Sequence, residues 1–281
     1  GRPFGAVCDL GAVERKAFTV TTTDDNGNEG TPTPGSLRAA IVGANARPGA
    51  DTIDFDIPGS GVQTIAALTM TYIHEAVVID GYTQRSCRSN APPCSHPNTL
   101  AVGDDASLLI ELNGVNALSA FSQAQGLAVL SGNPVSQGMV VVRGLVINRF
   151  FTGVPCGTND EVVIEGNFIG TDPTGNTALG NRSGIFVGEG FYAKSRSRIG
   201  GAKPAQRNVV SGNKATGVYV SDGVLAAIQG NYIGTNAAGT TVLKNEGYGI
   251  FIGGGYRATL EEGVNVGGIT AVPGTPPGNV I

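Results

Sequence analysis

The feature that most constrains this 281-residue chain is an internal repeat. The stretch GNFIGTDPTGNTALGN at 166–181 returns as GNYIGTNAAGTTVLKN at 230–245, an offset of 64 residues. Nine of the 17 aligned positions from 165–181 and 229–245 are identical, and the similarity continues with small insertions toward the last residue. Repetition at this scale is typical of solenoids, in which each unit buries its apolar face against its neighbours.

Each repeat is made of short apolar segments. The first copy contains VVIEGN, FIGT, GIFVG, RIGG and NVVSGN, which alternate apolar residues and stop at Gly, Asn or Ser-Gly. We interpret three such strands as one rung, so that one copy of the repeat comprises two rungs. The two copies span 165–228 and 229–281, and the last rung of the second copy is incomplete. This predicts an all-β fold, a parallel β-helix over 51–281, with inward Val, Ile and Leu stacked in ladders. Upstream, MVVVRGLVIN (139–148) is predicted to be one further strand.

Recurring Gly-Asn pairs are predicted to form the corners of the rungs. Both residue types tolerate the left-handed backbone conformation that a sharp corner needs. Side-chain amides at these corners would stack between neighbouring rungs, so we expect a structural role rather than ligand binding. The residues assigned to this role are Gly166, Gly230, Asn167, Asn231, Asn213 and Asn279.

The loop TDPTGNTALGN (171–181) offers one candidate metal site. Asp172, Thr174 and Asn176 carry oxygen ligands at a spacing that could suit calcium. The second copy has Asn236 in place of the aspartate, and one carboxylate is little for a hard cation. We therefore favour a protruding, turn-rich flap and expect no cofactor, with calcium as the alternative.

The first 50 residues form a separate unit in the sequence pattern. FTVTTTDD (18–25) predicts a polar, alternating strand, and Ser36 is a suitable N-cap for a helix whose Leu37, Ala40 and Ile41 share one face. A short N-terminal helix here would cap the open end of the first rung, whose strand edges would otherwise invite aggregation.

Charge and hydropathy exclude two classes of partner. The net charge is −4, and the 18 Lys and Arg residues are scattered, whereas neutralising nucleic-acid phosphates needs clustered basic residues. No stretch of the sequence approaches the roughly 20 apolar residues of a membrane span. We therefore expect neither nucleic-acid binding nor a membrane-spanning segment in this chain.

The four cysteines suggest an oxidising environment. Cys87 and Cys94 lie in the loop-like segment SCRSNAPPCSHP and are predicted to form a disulfide, because a zinc site with His96 would match no standard ligand spacing. Cys8 and Cys156 either form the remaining pair or stay as free thiols. The even cysteine number, the low charge and the many Ser, Thr, Gly and Asn residues indicate a secreted or cell-surface protein.

Catalysis on such a fold would need carboxylates on one face of successive rungs. Glu111, Arg143 and Glu165 are the candidates for such a cleft, the alternative being ordinary surface ion pairs. A Ser-His-Asp triad is not supported, since His74 and His96 are far apart in the sequence and no nucleophile motif lies near them.

Several motifs together resemble a known family. SLRAAIVGAN, GADTIDF, IDGYTQ, VRGLVINRF, the two GN(F/Y)IGT segments and RNVVSGN, within residues 18–281, are similar to bacterial right-handed parallel β-helix repeat proteins with an N-terminal CSLREA-type motif, which share the pectin-lyase-like fold. The Cys and Glu of that motif are Gly35 and Ala39 here, so a disulfide from that cysteine is absent. The resemblance implies right-handed coiling and a secreted or surface-displayed protein, and it supplies no catalytic residue.

Three functions are compatible with these patterns. The favoured one is a non-enzymatic secreted or cell-surface rod for adhesion, matrix or appendage building. A bare last rung at GNVI would reflect either truncation or end-to-end stacking of identical chains into a filament. The second is a polysaccharide lyase or hydrolase acting on an extracellular acidic glycan. The third is a glycan-binding module that stacks sugars on aromatic side chains, with four candidates: Phe168, Tyr219, Tyr232 and Phe251.

Overall fold

The computed structural model describes nine stretches of the chain: 15–68, 71–84, 94–120, 124–129, 138–157, 161–188, 196–221, 224–253 and 263–281. Within them lie two α-helices, α1 (Leu37–Asn45) and α2 (Val115–Ala120). The first nine strands are β1 (Ala17–Val20), β2 (Asp51–Phe55), β3 (Gln63–Ala66), β4 (Val77–Asp80), β5 (Ile110–Asn113), β6 (Met139–Arg143), β7 (Leu145–Asn148), β8 (Thr152–Cys156) and β9 (Glu161–Glu165). The others are β10 (Phe168–Ile169), β11 (Ser183–Val187), β12 (Arg196–Gly200), β13 (Val209–Val210), β14 (Val218–Val220), β15 (Leu225–Gln229), β16 (Tyr232–Ile233), β17 (Ile250–Ile252) and β18 (Asn265–Val266).

These strands form three sheets in the described part of the chain. One sheet has eight strands in the order β1-β2-β4-β6-β9-β12-β15-β18. The second has six in the order β16-β13-β10-β7-β5-β3, and the third has four in the order β17-β14-β11-β8. All pairings between these strands are parallel. The prediction of a predominantly β, all-parallel chain with few helices is confirmed.

The order of the strands follows a simple rotation. From β6 to β18 each successive strand belongs to the eight-, the six- and then the four-stranded sheet, and the rotation begins again. The segment 139–148, predicted to be one strand, is divided into β6 and β7 on two different sheets. The break falls at Gly144, whose φ of 74° allows the change of direction.

The apolar core lies between the three sheets. Alternate side chains point inward, and those of neighbouring strands stack in register, as Val142, Ile164, Ile199 and Ile228 do in the eight-stranded sheet. All four are fully buried, and burying each such side chain contributes about 1.5–3 kcal/mol. A smaller cluster on the outside of the six-stranded sheet contains Phe168, Tyr232 and Leu108, so that sheet is covered on both faces.

Helix α1 shares the core of the sheets. The Ser36 hydroxyl accepts a hydrogen bond from the Ala39 N–H, as predicted for an N-cap. Leu37, Ala40 and Ile41 are buried in the same cluster as the sheet residues, and β1 pairs in parallel with β2. The segment 17–45 is thus part of one continuous sheet and core with the strands that follow it.

A buried ion pair, which the sequence pattern did not indicate, fixes α1. The guanidinium of Arg38 contacts both carboxylate oxygens of Asp25, at 2.6 Å from Nε and 2.8 Å from Nη2, and its Nη1 donates to Thr71 at 3.0 Å. Burial alone would raise the pKa of Asp25, but hydrogen bonds from Arg38 and from the N–H groups of Leu68 and Gly27 reverse this and lower the pKa.

Neither helix in the described stretches is both long and apolar enough to cross a membrane.

Candidate functional site

Two buried ladders of asparagine amides run along the corners of the molecule. In the first, between the eight- and six-stranded sheets, the Nδ2 of Asn167 donates to Oδ1 of Asn208 at 3.2 Å. Asn208 donates in turn to Asn231 at 2.9 Å, and Asn231 to Asn279 at 3.1 Å. The amides also bond backbone groups; Asn208 Nδ2, for example, reaches the Ile164 carbonyl at 2.8 Å. These side chains therefore satisfy backbone groups at corners where strand pairing stops.

The second ladder lies between the six- and four-stranded sheets. Asn181 donates to Asn213 at 3.1 Å, and Asn213 to Asn245 at 2.9 Å. Asn213 was predicted to stack with Asn167, Asn231 and Asn279, but it belongs to this second ladder. Three further members, Asn181, Asn208 and Asn245, were not predicted, although Asn181 and Asn245 occupy equivalent positions in the two copies of the repeat.

The predicted corner glycines adopt the left-handed conformation. The φ of Gly166 is 66° and that of Gly230 is 70°. A Cβ on Gly166 would lie 2.4 Å from the Tyr82 hydroxyl, and one on Gly230 would lie 2.3 Å from the Gly201 carbonyl oxygen. Backbone conformation and close approach thus both require glycine at these corners.

Glu111 does not join the other two catalytic candidates. It lies on β5 of the six-stranded sheet, where its Oε2 accepts from Thr64 at 2.7 Å and its Oε1 from Asn148 at 2.8 Å. Arg143 and Glu165 end two strands of the eight-stranded sheet. The predicted cleft of three residues is therefore not formed, because its members belong to two sheets and the carboxylate of Glu111 is held by neutral partners.

Arg143 and Glu165 belong to a row of charges on the outside of the eight-stranded sheet. Asp80, Arg143 and Glu165 are register neighbours on β4, β6 and β9. The Nη2 of Arg143 lies 2.6 Å from Oδ2 of Asp80, and that of Arg198 lies 2.8 Å from Oε2 of Glu165. The hydrogen bond to Asp80 is the largest effect on Arg143 and raises its pKa. Asp80, Arg143, Glu165 and Arg198 are thus held in two ion pairs.

A second polar cluster lies where residues 98–106 cover the six-stranded sheet. Arg207 is buried, its guanidinium donates to five backbone carbonyls, including those of Gly103 and Gly230, and it lies 4.3 Å from the ring centroid of Tyr232. Burial raises the pKa of Asp104 to about 7, against the opposing effects of the Ala106 N–H and of Arg207. These groups attach the loop to the sheet.

The four aromatic candidates lie in two environments. Phe168 and Tyr232 are buried. Tyr219 is stacked between Phe186 and Phe251, with ring centroids 5.1 Å apart on both sides. Tyr248 flanks Phe251 in a tilted arrangement, at 5.2 Å. Tyr219 and Phe251 thus belong to a row of rings along the four-stranded sheet, separate from the two buried candidates.

The calcium candidate Asp172 closes a turn. Its carboxylate accepts from the Thr174 hydroxyl at 2.9 Å and from the N–H groups of Asn176 and Thr177 at 3.0 Å. In the second copy, Oδ1 of Asn236 accepts from two N–H groups in the same manner. The position needs an acceptor oxygen but no charge, which explains why Asp172 in the first copy is replaced by Asn236 in the second. Among the described residues, no three His, Cys, Asp or Glu side chains are grouped as a metal site.

Replacing Asp172 with asparagine is therefore expected to change the free energy of unfolding by no more than about 0.5 kcal/mol, as for an ordinary surface substitution. Thermal unfolding with and without added calcium would measure this. A calcium-dependent rise in Tm that disappears in Asp172→Asn would contradict the assignment of this residue to a turn.

The cysteines divide into two environments. Cys94 is disulfide-bonded, whereas Cys87, its predicted partner, lies outside the described residues, as does Cys8. Cys156 is a free thiol in the core, and burial raises its pKa to about 12. The alternative of a Cys8–Cys156 disulfide is thereby corrected: Cys156 lies on β8 with its side chain inside the molecule and stays reduced.

A depression of about 450 Å³ lies at β12 and β15 of the eight-stranded sheet. Its lining includes Leu225, Ala226 and Ala227 on β15, and Ser197 and Arg198 on β12. Glu161, Gly263 and Asn265 complete the lining. A patch of small apolar side chains bordered by a few polar groups is a common composition for a ligand site.

Comparison with known proteins adds no assignment. No protein-family model matches the chain, and neither a curated protein nor a solved structure matches it. The family resemblance indicated by the sequence motifs stays a prediction, and function has to be inferred from the geometry.

Proposed function

We propose that the chain is a right-handed parallel β-helix of three-strand rungs that serves as a rigid structural or adhesive rod outside the cell. The observation that carries the proposal is the pair of buried asparagine ladders. They link strand after strand at two corners, between Asn167 and Asn279 and between Asn181 and Asn245. Buried amide networks with satisfied partners rigidify a fold, and this molecule places them along its length.

An enzymatic role receives less support from the same contacts. Glu165 accepts from Arg198 and Gln206, Asp80 from Arg143, and Glu111 from Thr64 and Asn148. A lyase or hydrolase needs a carboxylate or a base free to exchange a proton with its substrate. We therefore keep cleavage of an acidic glycan as the second candidate only.

Two observations support the other parts of the proposal. The disulfide at Cys94 is typical of secreted and surface proteins. Helix α1 packs on β1 and β2 at one end of the eight-stranded sheet, where a cap on a rod would lie. We propose the rod as a single chain and leave the predicted end-to-end filament as an outcome to test.

Hydrogen exchange and activity assays on the purified chain test the proposal together. We expect the backbone N–H groups of Asn167, Asn208 and Asn231 to exchange as slowly as those of the central strands, because each donates to the side-chain oxygen of the next asparagine in the ladder. No unsaturated product should form from polygalacturonate or alginate. Turnover that is lost in Glu165→Gln but retained in the exposed-site control Glu246→Gln would instead establish the enzyme, and filaments in electron micrographs would establish end-to-end assembly.

A further inference from the structure

Residues 98–106, the covering loop, lie against the outside of the six-stranded sheet. The two ends of this loop are joined by an antiparallel bridge: the His96 N–H donates to the Ser107 carbonyl at 3.1 Å, and the Ser107 N–H to the His96 carbonyl at 3.0 Å. The Gly103 N–H donates at 2.7 Å to the hydroxyl of Tyr232, a member of the outer apolar cluster. A surface loop whose ends are held together can open locally while the strands beneath it stay paired.

A buried arginine holds the covering loop to the sheet. Arg207 has five N–H groups, and all of them donate to backbone carbonyls. Three of these carbonyls, those of Leu100, Ala101 and Gly103, belong to the loop. The guanidinium of Arg207 therefore has no N–H group left to donate to a carboxylate.

Asp104 brings an unpaired carboxylate oxygen into the interior. Its Oδ1 accepts a hydrogen bond from the Ala106 N–H at 2.9 Å. Its Oδ2 is buried, and no described group donates a hydrogen bond to it. A buried oxygen without a donor is costly when the carboxyl group is charged, and much less costly when the group is protonated and neutral. The closed position of the loop therefore favours the protonated form of Asp104.

The groups around Asp104 compensate its charge only in part. Those that face it from the loop itself, from the bridge at its base and from the segments beneath are Asp105, His96, Arg207 and Tyr82. The Tyr82 hydroxyl donates instead to the Gly166 carbonyl at 2.8 Å. The His96 Nδ1 lies 3.0 Å from the Pro97 carbonyl oxygen. Burial is the largest effect on the pKa of Asp104 and raises it to about 7, against the opposing effects of the Ala106 N–H and the nearby positive charges.

We propose that the covering loop is a pH-sensitive switch operated by Asp104. With a proton on this carboxyl group, the loop lies closed on the sheet. Loss of the proton to the solvent favours an open state, in which water hydrates the carboxylate and the apolar cluster of Leu108, Phe168 and Tyr232 is uncovered. The switch does not depend on whether the chain serves as a rod.

The direction of the pH dependence follows from the pKa of Asp104 in the two states. In the open loop the carboxyl group is hydrated and has its ordinary pKa of 3.8, whereas in the closed loop the pKa is about 7. Below the ordinary value both states are protonated, and the closed state is at its most stable. As the pH rises from there to about 7, the population of the closed state relative to the open one falls about tenfold per pH unit. At higher pH both states are ionised, and their ratio is constant.

Hydrogen exchange of the Gly103 N–H in the whole chain, at about pH 5 and about pH 8, tests the proposal. After correction for the intrinsic effect of pH on exchange, we expect the protection of this N–H to be about a hundredfold lower at the higher pH. The internal reference is the pair of N–H groups of Thr240 and Thr241, because their acceptor, the amide oxygen of Asn236, does not titrate. Their protection should be equal at both pH values.

Asp104→Asn is the decisive variant, because its side-chain oxygen can still accept from the Ala106 N–H but the group cannot ionise. The protection of Gly103 in this variant should be the same at both pH values. The matched control is Asp105→Asn, which changes the neighbouring exposed aspartate and should retain the pH dependence of the parent. If circular dichroism shows that Asp104→Asn is not folded, Asp104→Ser provides a second neutral acceptor at the same position.

Three results would overturn the proposal. The first is equal protection of the Gly103 N–H at both pH values in the parent, and the second is protection that rises with pH. The third is a pH dependence that persists in the neutral variants of Asp104 or disappears in Asp105→Asn.

Discussion

Replacing Arg38 with alanine is expected to lower the free energy of unfolding by about 3–5 kcal/mol, the usual effect of removing one partner of a buried ion pair. The substitution would leave Asp25 charged and buried, with only the N–H groups of Leu68 and Gly27 as partners. It would also remove the hydrogen bond that connects α1 to Thr71. Urea denaturation followed by circular dichroism measures the effect.

The matched control is Arg47→Ala, an exposed arginine just after the same helix, which should change stability by less than about 0.5 kcal/mol. The pH dependence provides a second check. Because the folded pKa of Asp25 is lowered, the pair contributes stability above the ordinary aspartate pKa and loses it as pH falls through the folded value. The parent should therefore lose stability in acid more steeply than Arg38→Ala. Equal losses in Arg38→Ala and Arg47→Ala would show that the ion pair is not stabilising.

Replacing Asn208 with alanine is expected to cost about 3 kcal/mol or more. It removes the acceptor of the Asn167 N–H and the donor to the Ile164 carbonyl, both in the interior. Each buried group left without a partner costs about 1–3 kcal/mol. The same denaturation experiment measures the loss. Asn213→Ala in the second ladder should cause a similar one, because it removes the acceptor of the Asn181 amide and the donor to the Ile169 carbonyl.

Asn176→Ala is the control for the ladder, since its amide is exposed on the flap and bonds Thr174 and Asn236 there. We expect it to cost less than about 0.5 kcal/mol. If Asn208→Ala were no more destabilising than Asn176→Ala, the ladders would be a by-product of the corner geometry and the rod proposal would lose its main support.

The repeat and the Gly-Asn corners could be predicted from the sequence because each depends on the conformation of a few neighbouring residues. Alternating Val and Ile define strands, and a left-handed corner restricts residue choice to Gly and Asn. The helix at 37–45 was readable for the same reason, from its cap and its apolar face. The division of 139–148 was missed because both halves are equally apolar and only the φ of Gly144 separates them.

The site could be predicted only in part, because its contacts join residues far apart in the sequence. Arg38 meets Asp25 through a loop, and Gly103 donates to the Tyr232 hydroxyl across 129 positions. The requirement for charged side chains on one face of successive rungs suggested that Glu111, Arg143 and Glu165 share a cleft, whereas the rotation of strands among the sheets places Glu111 on another sheet. The depression at Ala227 could not be predicted from the sequence, because no sequence motif marks a position where a large side chain is absent.

The flaps determine how this molecule could be lengthened. Each flap is a hairpin, bridged at Thr171–Ala178 and Thr235–Val242, and is therefore two strands or roughly 10 Å wide. The flaps follow β10 and β16, which are two strands apart, and they touch through Ala237 and Gly175 at 2.9 Å. Inserting a single rung would either separate neighbouring flaps by an unfilled gap or make two flaps overlap. Lengthening by gene duplication or by design would thus require adding rungs in pairs, which accounts for a period of 64 residues rather than half that number.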